Sequence, residues 1–128
     1  MTILSLDIGL KRIGIAVANG NFATPLKAVE RKNRKQASRE VSAVLKEWKC
    51  EKIVVGLPNG GNSDEMFRRF SHFVSLLDFY GEVIYFDEDF SSFEAKEMMR
   101  GEIREKRDGR IDSLSAKIIL DRFLQKKI

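Results

Sequence analysis

Residues 4–18 place the strongest constraint on what this chain can fold into. Leu4-Ser5-Leu6-Asp7-Ile8 and Ile13-Gly14-Ile15-Ala16-Val17-Ala18 are short apolar runs that read as two β-strands joined at Gly9-Leu10-Lys11. Asp7 stands where the first strand runs out, with nothing basic beside it. A carboxylate at the end of a buried strand costs free energy unless it is hydrogen-bonded, paired or bound to a cation. Asp7 is therefore either a turn-forming aspartate or a metal ligand, and the local residues leave both readings open.

The chain has 128 residues, which suits one domain, 1–128, and is too short for two lobes closing on a nucleotide. No apolar run approaches the roughly 20 residues of a membrane-spanning helix. The N-terminus enters strand pattern at once, without the basic, apolar and small-residue regions of an export signal. Cys50 is the only cysteine, so no internal disulfide can form, which fits a reducing compartment. The expectation is a cytoplasmic protein, a monomer or weak homodimer, with no membrane association. Net charge is +4, and the cations are clustered. Arg31, Lys32, Arg34, Lys35 and Arg39 form one group, and Lys96, Arg100, Arg104, Lys106, Arg107 and Arg110 another. Such groups suit a phosphate backbone, or they are simply the solvated faces of two surface helices.

Taken in order, Ile3–Asp7, Gly14–Ala18 and Phe22–Glu30 read as a three-strand meander, with Asn19-Gly20 as a two-residue hairpin turn. Pro25 cannot donate to a ladder, so the third strand belongs at an edge. Ala37, Val41, Val44, Leu45 and Trp48 give one apolar stripe to a helix over 34–49. Lys52–Gly56 is a continuous apolar strand, buried on both faces and central in the sheet. A glycine-rich loop, Gly56–Asn62, leads to a helix over 63–80, with Asn62 and Glu65 as its capping box and Met66, Phe70, Phe73, Val74 and Leu77 facing the core. His72, the only histidine, falls off that stripe and reads as a surface residue. A strand over 82–86 delivers Asp87-Glu88-Asp89; Ser91 and Glu94 then cap a helix over 92–105. The charged segment 106–110 reads as a mobile loop. A last helix over 112–125 buries Leu114, Ile118, Leu120 or Ile119, and Phe123 or Leu124.

The order βββαβαβαα predicts an α/β fold with a mixed five-stranded sheet. A three-strand antiparallel meander joins two parallel strands, and helices cover both faces. The ends of strands one, four and five then meet at one rim, where such sheets build their sites. Asp7, the acidic group 87–89 and Asp112 can all reach it. Each has an ordinary reading as turn, strand end or N-cap. Together, three mutually repelling carboxylates call for a divalent cation, Mg²⁺ or Mn²⁺, which suits phosphoryl transfer. Lys11, Arg12 and the glycine-rich loop beside them could hold phosphate, so the pattern favours metal-dependent cleavage of nucleic acid.

Four segments in order carry a resemblance over nearly the whole chain: Leu6–Ala16, Ile53–Pro58, Asp87-Glu88, and Ile111–Ala116 with Ile118-Ile119-Leu120. In these the chain resembles the YqgF/RuvX family of ribonuclease H-like proteins, described as Holliday junction resolvases and as nucleases that mature the 5′ end of pre-16S ribosomal RNA. The resemblance implies catalytic and metal-binding roles for Asp7, Glu88 and Asp112, which also singles out Glu88 from its acidic neighbours. Nucleic acid, as an rRNA precursor or branched DNA, would lie against Lys11, Arg12, Asn59, Gly60, Ser91 and Ser92.

One departure stands beside the proposed metal site. The family pattern after strand five is Asp-Glu-Arg-apolar-Thr-Thr, and this chain has Asp87-Glu88-Asp89-Phe90-Ser91-Ser92. Serine keeps the hydroxyl, but aspartate reverses the arginine's charge, so that arginine's role does not carry over. Two rivals to a nuclease remain. Asp7 to Gly14 also fits the phosphate loop of sugar kinases and actin-like ATPases, which need a second lobe. A non-catalytic nucleic-acid-binding module of the transcription or RNA machinery would bind without cutting.

Overall fold

A computed structural model describes residues 1–58, 64–88 and 113–126. The described strands are β1 (Ile3–Ile8), β2 (Arg12–Ala18), β3 (Thr24–Glu30), β4 (Lys52–Pro58) and β5 (Glu82–Glu88). The helices are α1 (Arg34–Glu47), α2 (Asp64–Ser75) and α3 (Leu114–Lys126). One sheet holds all five strands in the order β3-β2-β1-β4-β5. β1 pairs antiparallel with β2, and β2 with β3, whereas β1 with β4 and β4 with β5 are parallel. The mixed sheet, the meander and the edge position of the proline-bearing strand all match expectation. β4 is interior, but the central strand is β1. The helix expected over 92–105 and the loop over 106–110 lie outside the described residues.

Period-two alternation divides the core. Leu4, Leu6 and Ile8 of β1, Ile13, Ile15 and Val17 of β2, and Ile53 and Val55 of β4 pack with Ala37, Val41 and Leu45 of α1 and with Phe70 and Phe73 of α2. On the opposite face Ile3, Ala16, Ala18 and Val54 meet Ala116, Ile119, Leu120 and Phe123 of α3. That second face is lined with small residues, and this brings α3 close. A Cβ on Gly56 would lie 2.3 Å from Ile119 Cδ1, so any side chain there would force Ile119 to shift.

Several boundaries differ from the sequence reading. No two-residue hairpin forms at Asn19-Gly20, since β2 ends at Ala18 and β3 begins at Thr24. The connection is longer because Ala23 is tied to α3, its N–H donating to Asp121 Oδ1 at 2.7 Å. Helix α1 stops at Glu47, and Lys49 turns left-handed at φ 52°, which reverses the chain. Trp48 consequently leaves the apolar stripe and is 41% exposed. At the other end of α1, Asn33 and Gln36 make a reciprocal capping box that the sequence reading overlooked. Helix α2 ends at Ser75, five residues short of the expected end, and β4 and β5 each run two residues further, through Pro58 and Glu88. Among the described residues no helix is long and apolar enough to cross a membrane.

Candidate active site at the end of the central strand

Asp7 lies near the C-terminal end of β1, directly across the ladder from Gly14. Ser5, two residues earlier, points to the α3 side, where its Oγ donates to the Ala116 carbonyl at 2.6 Å. Strand periodicity gives Asp7 the same side, one step nearer the rim. A glycine opposite it supplies no side chain to cover or pair the carboxylate. Burial pushes the Asp7 carboxyl above its ordinary value. Among the described residues no hydrogen bond or ion pair reaches the Asp7 carboxylate. A turn-forming aspartate would bond its own backbone a residue or two onward. At the neighbouring turn the backbone does this work instead, Gly9 N–H donating to the Arg12 carbonyl at 3.0 Å.

The start of α3 is fastened to the same region. Ser113 is buried, and its Oγ accepts the Ile15 N–H of β2 at 2.9 Å. The bond falls at an irregularity, because the register of β2 against β3 shifts between Ile13 and Ile15. Further along the helix, Asp121 receives Lys117 Nζ at 2.6 Å and the Ala23 N–H. Ala116 meets β1 through Ser5, and Ser113 pins the N-terminal end of α3 to β2.

Of the other residues expected at the site, Glu88 closes β5, its backbone in register with Pro58 of β4. Lys11, on the β1–β2 turn, and Arg12, the first residue of β2, are exposed at the same end of the sheet as Asp7. Asp112, Asn59, Gly60, Ser91 and Ser92 lie outside the described residues. Among the described residues no three acidic, histidine or cysteine side chains converge as a metal-binding group, and Asp112 lies outside them. His72 is exposed, as expected of a surface residue. The sequence reading missed Ser5, Ser113, Gly56 and Asp121, which set the spacing between sheet and helix. Ser5 had left a trace, as a lone hydroxyl among alternating apolar residues.

Comparison with known proteins bears on this arrangement. The family model described as RuvX, Holliday junction resolvase, matches residues 1–126. A relative from Sulfurimonas denitrificans is 57% identical over 129 residues, covering 99% of each chain, and one from Campylobacter lari is 50% identical over 125 residues, covering 96% of this chain and 97% of its own. Both are provisionally named pre-16S rRNA nucleases. Among solved structures, Thermus thermophilus RuvC in complex with a Holliday junction substrate matches with a TM-score of 0.58 at 17% identity, over 99% of this chain and 95% of that one. The fowlpox virus Holliday junction resolvase matches with a TM-score of 0.59 at 14% identity, over 98% of this chain and 99% of its own. At those identities the likeness is one of fold, a mixed five-stranded sheet of the ribonuclease H-like kind.

Proposed function

This chain belongs to the RuvX family, and from that membership we infer that it is a nuclease. Its reaction is metal-dependent hydrolysis of phosphodiester bonds in structured nucleic acid, with processing of the 5′ end of pre-16S rRNA as its task. The name carried by relatives matched over their whole length supports that substrate. The observation that carries the reading is Asp7, a partly buried carboxylate on the α3 side of the central strand, raised in pKa by burial and without a described partner.

Such a carboxylate fits a hard divalent cation. Its oxygens are the donor type that Mg²⁺ and Mn²⁺ prefer, and a bound cation would offset its burial. Asp7, Glu88 and Asp112 are the residues proposed to hold the metal. The resemblance to the family favours Glu88 over its neighbours Asp87 and Asp89. Asp112 immediately precedes Ser113, whose bond to Ile15 fastens that part of the chain to β2. The metal, when bound, supplies Lewis acidity toward water and the phosphodiester oxygens. The protein's own contribution is to fix the carboxylates and to draw the strand in: Lys11 and Arg12 attract phosphate, with Asn59, Gly60, Ser91 and Ser92 as further contacts.

The proposed enzyme is one ribonuclease H-like domain, 1–128, acting in the cytoplasm as a monomer or weak homodimer. A second reading, cleavage of four-way DNA junctions, is favoured by the family's description as a Holliday junction resolvase. Purified protein incubated with a pre-16S rRNA fragment and with a four-way junction, in Mg²⁺ or in chelator, separates the two. Preferential, metal-dependent cutting of the RNA is expected. Binding of both without cleavage of either would instead identify a binding module.

A further inference from the structure

A cleft of about 280 Å³ opens between the β3–α1 junction and α2, lined by Arg31, Arg34, Arg68, Arg69, His72 and Glu65. Its α2 wall is one helical stripe. Positions 65, 68, 69 and 72 follow the i, i+3, i+4, i+7 spacing, while Phe70 and Phe73 are buried in the core. Its other wall begins at Arg31, which is held rather than waving in solvent. The Arg31 Nη1 donates to the Gly9 carbonyl at 3.0 Å, its backbone N–H donates to the Lys11 carbonyl at 2.8 Å, and its guanidinium lies 5.4 Å from the centre of the Phe73 ring. Arg34 opens α1, whose first turn has no acidic residue to oppose the positive end of the helix dipole.

Four arginines facing one concavity repel one another, and Glu65 is the only carboxylate among its described lining residues. Among the described residues no ion pair engages Arg34, Arg68 or Arg69. Surface arginines scattered over a convex face relax into water, whereas a shared cleft keeps their charge together and suits an anion that accepts several forked hydrogen bonds. Phosphate is that anion.

The place of the cleft in the fold says which phosphate. β1, β3 and β4 run in the same direction, so Asp7, the β3–α1 junction and the C-terminal end of β4 lie at one end of the sheet. Asp7 faces α3, while the cleft lies on the α1–α2 side, and the bond from Arg31 to Gly9 joins them across the end of β1. We propose that the cleft holds a phosphodiester of the nucleic-acid strand at a distance from the bond addressed at Asp7, so that the substrate passes over the end of β1 from one sheet face to the other. The proposal rests on the nuclease reading given above.

The test is binding of a fluorescein-labelled single-stranded RNA by the full chain in chelator, titrated between about 50 mM and about 200 mM salt. Arg68→Gln/Arg69→Gln is expected to bind at least tenfold more weakly at the lower salt, with a log–log salt slope flatter by about one to two. Arg68→Lys/Arg69→Lys should retain most of the slope, because the charge is kept. Both pairs lie on an exposed face and should melt with the wild type, which separates lost binding from lost folding. Wild-type affinity and slope in the glutamine variant would overturn the proposal, as would displacement of the RNA by micromolar inorganic phosphate, which would assign the cleft to a free anion. The nuclease reading fails separately, if wild-type protein binds RNA and never cuts it in Mg²⁺.

Discussion

The Ile15 N–H of β2 donates to Ser113 Oγ at 2.9 Å, joining two residues 98 positions apart at the edge of the candidate site. Both residues are buried, so Ser113→Ala leaves a backbone donor with no water to turn to. The expected cost is about 1–3 kcal/mol, read as a lower urea midpoint at unchanged slope. Cleavage should fall as well, because Asp112 adjoins the lost anchor. A midpoint equal to that of the wild type would mean that Ile15 finds another acceptor and that Ser113 does not hold the helix.

Asp7→Asn is expected to abolish cleavage and to raise metal-free stability at neutral pH. Burial raises the carboxyl's folded pKa above its unfolded value. Protonated Asp7 therefore contributes stability that is fully present below the ordinary aspartate range and is lost as pH rises through the folded value. Asparagine does not titrate, so variant and wild type should melt alike in acid and diverge, variant higher, toward neutrality. Melting curves in chelator at several pH values check the sign. Cleavage at the wild-type rate by a folded Asp7→Asn protein would remove the metal site.

A cap and a ligand at Asp112 predict different losses. Asparagine caps about as well as aspartate, so a residue that only caps makes Asp112→Asn nearly silent and Asp112→Ala costly by about 1 kcal/mol. The expectation here is severe loss of activity in Asp112→Asn with little change in melting temperature. An active Asp112→Asn enzyme would leave Asp7 and Glu88 to hold the cation.

Gly56→Ala probes the spacing between β4 and α3. The new Cβ would meet Ile119 Cδ1 at 2.3 Å and Cγ1 at 3.1 Å, and Ile119 is itself buried. Overpacking should cost about 1–3 kcal/mol. Ile119→Val beside it should recover part of the loss, which a double-mutant cycle in denaturant measures.

The strands were legible because alternation and apolar runs report burial directly, and the parallel arrangement followed from the crossovers between them. Trp48 and the Asn19-Gly20 turn each followed a local rule that the chain around them overrode. Trp48 is the C-cap of α1, with Lys49 reversing the chain directly after it, and Ala23 bonds to Asp121 of α3 rather than closing a tight hairpin. Asp7 stood out early because a charge among apolar residues breaks a pattern. Ser5 and Ser113 did not, since a hydroxyl's partner in a distant segment leaves no periodic mark. The basic cleft was half visible: Arg31 and Arg34 lie in a charge run, but only folding brings Arg68 and Arg69 opposite them.

The fastening of α3 to β1 and β2 has a consequence for how the protein is born. Ser5 and Ala116 are 111 residues apart, and Ser113 and Ile15 nearly as far. While a ribosome is still making the chain, the meander of β1, β2 and β3 can pair, yet the face that α3 covers stays bare until residues 113–126 emerge. Contacts that span so much of the sequence also slow folding, because a long loop must close before they stabilise anything. Asp7 is among the first residues synthesised and Asp112 among the later ones, so on the proposed site a nascent chain has no cutting power until α3 docks.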